Sequence, residues 1–82
     1  MLKKYLHTRF RVADMVRSVR FYSDILGMEV VERKTSPRGS QLVFLRFPET
    51  DCELELCSFP DSGTVDVPED LVHLAFQVQD LK

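Results

Sequence analysis

The stretch HTRFRVADM, residues 7–15, returns later in the chain as HLAFQVQDL, residues 73–81, a spacing of 66 positions. The two copies share histidine, phenylalanine, valine and aspartate at identical offsets: His7 and His73, Phe10 and Phe76, Val12 and Val78, Asp14 and Asp80. A period of this length exceeds that of solenoid repeats and suits a larger supersecondary unit. The sequence therefore predicts one complete unit followed by the beginning of a second.

Apolar residues recur at helical spacing in the segment that follows the first copy: Met15, Val19, Tyr22 and Leu26. Asp14 is a natural N-cap immediately before this stripe, and Gly27 supplies a C-terminal stop. The pattern predicts one helix between these two residues, and Asp80 is expected to cap the corresponding helix of the second unit.

Apolar alternation and short apolar runs predict five strands, over residues 5–12, 28–34, 41–47, 52–58 and 71–78. The order is β-α-β-β-β, a linker and one more strand, so we expect an α+β fold. Residues 1–58 are expected to form a first βαβββ module, residues 59–70 a linker or active-site loop, and residues 71–82 the first strand of an incomplete second module.

The lone fifth strand has no partner within a second module, because the 82 residues end where that module's helix would begin. A single strand cannot stabilise itself. We therefore expect it to pair with the first module, to pair with another chain, or to stay mobile.

Composition excludes several classes of function. The formal net charge of −2 argues against nucleic acid as the main partner. No apolar run approaches the length needed to span a membrane, and the N-terminus lacks the apolar core of a signal peptide. Cys52 and Cys57 point to opposite faces of one predicted strand and cannot pair with each other. We expect a protein of the reducing cytoplasm.

Three predicted strands carry a metal-capable residue on the face opposite their apolar side chains: His7, Glu55 (or Glu53) and His73. Two imidazoles and a carboxylate suit Zn²⁺, Ni²⁺, Co²⁺ or Fe²⁺. The alternative is a solvated sheet face with cross-strand Arg–Glu contacts, since the three residues show no local ligand spacing. The repeat supports the metal hypothesis, because it places histidines at equivalent positions in two units, and the residues alone leave both interpretations open.

Glu53 and Glu55 lie two residues apart and share one face of their strand. Their Cα atoms are about 6.6 Å apart in an extended strand, so both are poorly placed to bind one ion. We expect one to bind the metal and the other to face the rim or pair with a cation such as Arg9 or Arg11.

Other side chains carry weaker signals. Arg11 shares the His7 face and could bind a substrate carboxylate, although an exposed strand arginine is an equal alternative. Cys57 shares the Glu55 face but has no predicted activating neighbour, which indicates an inert thiol. Five aromatic residues are expected in the core: Phe21, Tyr22, Phe44, Phe47 and Phe76.

The segments RSVRFYSDILGMEV, LELCS and VHLAFQV together resemble the glyoxalase I (lactoylglutathione lyase) family of the vicinal oxygen chelate superfamily. That superfamily is built from paired βαβββ modules. The resemblance implies a divalent metal, nickel or zinc with cobalt, manganese or iron as alternatives, held by His7, Glu55 and His73. It also implies that Arg11 helps to bind glutathione, that a fourth ligand and base, a glutamate, falls beyond Lys82, and that the protein is a homodimer.

The implied reaction converts the hemithioacetal of methylglyoxal and glutathione to S-lactoylglutathione, and we expect it to be impaired in this short chain. Phe59 stands where the family has an asparagine that contacts glutathione, which puts the thiol substrate in doubt. The alternatives are another enzyme of the superfamily (an epimerase, a thiol transferase or an extradiol dioxygenase) or a metal-free drug-binding resistance protein.

Overall fold

A computed structural model describes residues 1–61 and 64–79 of the chain. Four strands form one mixed sheet in the order β1-β4-β3-β2, with β1 parallel to β4 and the other neighbours antiparallel. Their bounds are β1 His7–Arg11, β2 Glu29–Thr35, β3 Gln41–Arg46 and β4 Glu53–Ser58. The predicted α+β class and the order β-α-β-β-β are confirmed. Asp80, the predicted second cap, lies outside the described residues.

The helix that follows β1 begins where the sequence predicts. Helix α1 spans Met15–Arg20, and Asp14 Oδ1 accepts a hydrogen bond from the Arg17 backbone N–H at 3.1 Å. The helix then widens into a π-helical turn, Phe21–Ile25, in which the Leu26 N–H donates to the Phe21 carbonyl at 3.1 Å. This widening was not predicted, because the apolar spacing of the stripe fits an ordinary α-helix.

Gly27 ends this helical segment with a left-handed backbone, at φ +83°. A Cβ at this position would meet no atom within 4 Å, so a substitution acts through the backbone conformation alone. We expect Gly27→Ala to lower the free energy of unfolding by about 1–2 kcal/mol. Gly27→Asn should cost less, because asparagine tolerates this conformation better. Urea unfolding of the three proteins measures the difference, and equal stability of all three would contradict the assignment.

The core lies between one face of the sheet and α1. Its buried apolar side chains come from the strands and the residue after Gly27: Met28, Val43, Leu45, Leu54 and Leu56. Partly buried side chains cover them, from β1 and the residue after it, α1, the π-helical turn, β2 and the residue after β3: Phe10, Val12, Met15, Val19, Tyr22, Val30 and Phe47. The side chains that alternate with these on β3 and β4, Phe44 and Glu55 among them, point to the opposite face of the sheet.

Residues 71–78 form no strand in this chain, which differs from the sequence prediction. Their alternating apolar side chains remain substantially exposed, although the Phe76 ring lies edge-on to Phe47 with centroids 5.8 Å apart. A strand requires a hydrogen-bonding neighbour, and this segment pairs with neither β1 nor β2, the two edge strands. No helix among the described residues is long and apolar enough to span a membrane.

Candidate functional site

The parallel pairing of β1 with β4 places the candidate residues side by side. Its register sets His7 opposite Glu53 and Arg9 opposite Glu55. Leu54 enters the core on the α1 side of the sheet, so the alternation of β4 turns both glutamates to the other face. The sequence prediction that they share a face with His7 is consistent with this register.

Glu55 is a buried carboxylate with both oxygens engaged. Its side chain is 2% exposed. His7 Nε2 lies 3.0 Å from Oε1, and Arg9 reaches Oε2 with Nε at 3.0 Å and a terminal guanidinium nitrogen at 2.9 Å. Burying a carboxylate is costly unless it is paired and hydrogen-bonded. These three contacts therefore account for a negative charge at this place in the fold.

Phe44 closes the site from the neighbouring strand. It stands opposite Glu55 in the register of β3 and β4, and its ring meets the His7 imidazole edge-on at a centroid distance of 5.7 Å. The Lys34 ammonium lies 5.7 Å from the centroid of the Phe44 ring. Phe44 was expected in the core, and it is buried, but it lies on the face opposite α1. There it limits the positions open to the His7 ring.

The sequence predicts that a cation such as Arg9 or Arg11 pairs with one of the two glutamates of β4. In the structure Arg9 contacts Glu55. The hydrogen bond and the charge of Glu55 raise the pKa of the Arg9 guanidinium above its ordinary value. The parallel β1–β4 register would have identified this pair, because it places Arg9 directly opposite Glu55.

His73 is not brought together with His7 and Glu55 within this chain. It lines a cavity of about 480 Å³ beside the helical segment, together with Phe10, Phe21 and Tyr22 among others. Within residues 1–61 and 64–79, no group of three or more histidine, cysteine, aspartate or glutamate side chains is placed to hold a metal ion. The assignment of His73 as a ligand stays a prediction.

His7 and Glu55 have the donor atoms that a divalent transition metal prefers, but two ligands are too few to hold one. One imidazole nitrogen and one carboxylate oxygen are 3.0 Å apart and supply the nitrogen and oxygen ligands that zinc and nickel accept. A zinc ion takes four protein ligands in a structural site, and three with one open position in a catalytic site. The His7–Glu55 pair therefore fits part of a metal centre, and further donors must come from elsewhere.

Arg11, the predicted substrate-binding residue, lies at the end of β1 and stacks on Phe59. Its guanidinium carbon is 4.8 Å from the ring centroid. A cation over an aromatic face is attracted to it and partly shielded by it. Arg11, which is predicted to bind the thiol substrate, is thus in direct contact with Phe59, the residue that departs from the family pattern.

Comparisons with known proteins support one family. The model of the Glyoxalase/Bleomycin resistance protein/Dioxygenase superfamily matches residues 4–82. A lactoylglutathione lyase of Neisseria meningitidis is 36% identical over 80 residues, which are 94% of this chain and 58% of that protein. The chain therefore spans less than two thirds of the length of this relative.

Solved structures show the same fold. The trypanothione-dependent glyoxalase I of Leishmania major superposes with a TM-score of 0.85 at 32% identity, over 96% of this chain and 59% of that one. A methylmalonyl-CoA epimerase from Mycobacterium tuberculosis gives a TM-score of 0.62 at 27% identity, over 79% of this chain and 47% of that one. The sequence, the βαβββ order and these likenesses together show that the chain belongs to the Glyoxalase/Bleomycin resistance protein/Dioxygenase superfamily.

Proposed function

We propose that this chain carries part of the metal centre of a glyoxalase I-like lyase, which converts the hemithioacetal of methylglyoxal and a thiol to the corresponding lactoyl thioester. The observation that carries the proposal is the buried Glu55 carboxylate with His7 Nε2 at 3.0 Å. The likeness to a lactoylglutathione lyase and to a glyoxalase I supports the choice of reaction.

His7, Glu55 and His73 are the proposed metal ligands. Because His73 lies beside the helical segment in the single chain, we propose that the His73 of a second copy completes the set in a homodimer. A divalent metal bound there would supply Lewis-acid stabilisation of negative charge on the substrate oxygens. Phe44 holds the His7 ring on the site face, and Arg9 holds Glu55.

Glutathione is the first thiol to test, and Arg11 is its proposed anchor. Arginine binds carboxylates bidentately, and glutathione carries two of them. The stacking of Phe59 on Arg11 restricts that anchor on one side. The Leishmania relative is described as dependent on trypanothione, so different thiols are used by proteins of this fold. The experiment should therefore compare more than one thiol.

The test is an isomerisation assay on the chain loaded with Ni²⁺ or Zn²⁺, using methylglyoxal with glutathione or with trypanothione. We expect thioester formation to require metal and to fall at least about tenfold in His7→Ala, because one metal ligand is lost. Arg38→Ala, in the exposed turn between β2 and β3, serves as a control. Metal-independent turnover, or undiminished turnover by His7→Ala, would contradict the proposal. So would a chain that neither binds metal nor forms thioester.

A further inference from the structure

We propose that Arg9 is an exchangeable counter-ion for Glu55, which neutralises this buried carboxylate in the metal-free protein and competes with a divalent metal for it. The inference rests on the proposed function, because it concerns the same carboxylate. It assigns Arg9 a role in metal loading: Arg9 sets how readily Glu55 becomes a ligand.

The first argument is the saturation of Glu55. Oε2 receives two guanidinium nitrogens of Arg9, at 3.0 and 2.9 Å, and Oε1 faces His7 Nε2 at 3.0 Å. An unpaired carboxylate that is 2% exposed would carry a large desolvation cost. Arg9 supplies to this carboxylate the positive charge that a metal ion would supply in its place.

The second argument is the difference in exposure between the partners. The Arg9 side chain is 56% exposed, whereas Glu55 is 2% exposed. The guanidinium can therefore leave Oε2 and remain hydrated, while the carboxylate cannot follow it into water. An arginine that only oriented a ligand would be expected to be fixed on its far side by further contacts. Within the described residues, Glu55 is the one carboxylate that forms a salt bridge with Arg9.

The third argument concerns the sign of the charges. A divalent cation at Glu55 and the Arg9 guanidinium repel each other whether Arg9 stays on Oε2 or leaves it. In the first case the repulsion weakens metal binding, and in the second the Arg9–Glu55 contacts must be broken. Both routes predict that removing the charge of Arg9 tightens metal binding and, at the same time, destabilises the metal-free fold.

The experiment compares the full chain with Arg9→Met, which keeps a long apolar stem and removes the charge, and with Arg9→Lys, which keeps the charge and loses the two-nitrogen contact. Two quantities are measured: the melting temperature in the presence of a chelator, and the dissociation constant for Zn²⁺ by equilibrium dialysis. We expect Arg9→Met to melt lower without metal and to bind Zn²⁺ at least about fivefold more tightly, since the divalent charge no longer meets a neighbouring cation. Arg9→Lys should fall between the two. Arg38→Met, a change of the same kind at an exposed turn, should match the unsubstituted chain in both quantities.

The outcomes separate this inference from the proposed function. The counter-ion role is overturned if Arg9→Met binds Zn²⁺ no more tightly than the unsubstituted chain, or if its metal-free melting temperature is unchanged. In either case the proposed function still stands, provided that the unsubstituted chain binds metal. If Arg9→Met binds Zn²⁺ and the unsubstituted chain does not, the counter-ion role is supported. Arg9 is then what prevents Zn²⁺ from binding to the unsubstituted chain. The absence of Zn²⁺ binding in every variant overturns both.

Discussion

Glu55→Gln is expected to weaken Ni²⁺ or Zn²⁺ binding by at least about 100-fold, since it removes the proposed anionic ligand outright, a larger change than the loss of an outer-shell partner. Glutamine has the same shape, and its amide oxygen can still accept from His7 or Arg9. Both partners are partly exposed, at 42% and 56%, so neither is left as a buried unpaired charge. The fold should therefore survive, and equilibrium dialysis on the folded variant measures the loss of metal directly.

Glu53→Gln is the matched control. Glu53 lies two residues earlier on β4 and is directed to the same face, but the described salt bridges of this strand involve Glu55. We expect its metal affinity to fall by less than about tenfold, because the partly buried Glu53 would act on the ion only as a nearby charge and not as a ligand. Equal losses in the two variants would contradict the assignment of Glu55 as the ligand, and a loss in Glu53→Gln alone would reverse it.

The local part of the fold could be predicted because its signals are local. The alternation of residues 52–58 indicated which side chains of β4 share a face, and Asp14 and Gly27 marked the ends of the helical segment. Each of these signals depends on the chain within a few residues of the feature. The resemblance of the same segments to a known family added the choice of Glu55 over Glu53, which periodicity alone left open.

The contacts that define the site depend on pairing between distant segments. His7, Arg9 and Glu55 meet because β1 lies parallel beside β4, across 46 positions between Arg9 and Glu55. Alternation predicts the face of a side chain but not the register of its neighbour. The predicted strand over residues 71–78 is not formed in this chain for a related reason. Its apolar alternation is that of a strand, but a strand forms only where it can hydrogen-bond to the edge of a sheet.

Leu45→Ala is expected to have the largest effect on stability. Leu45 is fully buried near the C-terminal end of β3, and its neighbours in the core include Leu54, its partner in the register with β4. Truncating a buried leucine costs about 2–5 kcal/mol, through lost burial and the cavity that remains. For a domain of this size each kcal/mol lowers the melting temperature by about 4–8 °C, so a fall of at least about 8 °C is expected. Thermal and urea unfolding followed by circular dichroism measure it, with Leu2→Ala at the exposed N-terminus as a control that should change little.

The same variant separates the core from the site, because the two lie on opposite faces of β3. Leu45 points toward α1, whereas its neighbour Phe44 contacts His7. A metal that binds the folded but not the unfolded chain stabilises the fold by an amount set by the metal concentration and the dissociation constant. If the core change leaves the site intact, saturating Zn²⁺ adds the same free energy of unfolding to Leu45→Ala as to the unsubstituted chain. It should add almost none to Glu55→Gln, whose site is lost while its core is kept. A Leu45→Ala protein that is folded but no longer stabilised by Zn²⁺ would show instead that the two faces of the sheet are coupled through β3.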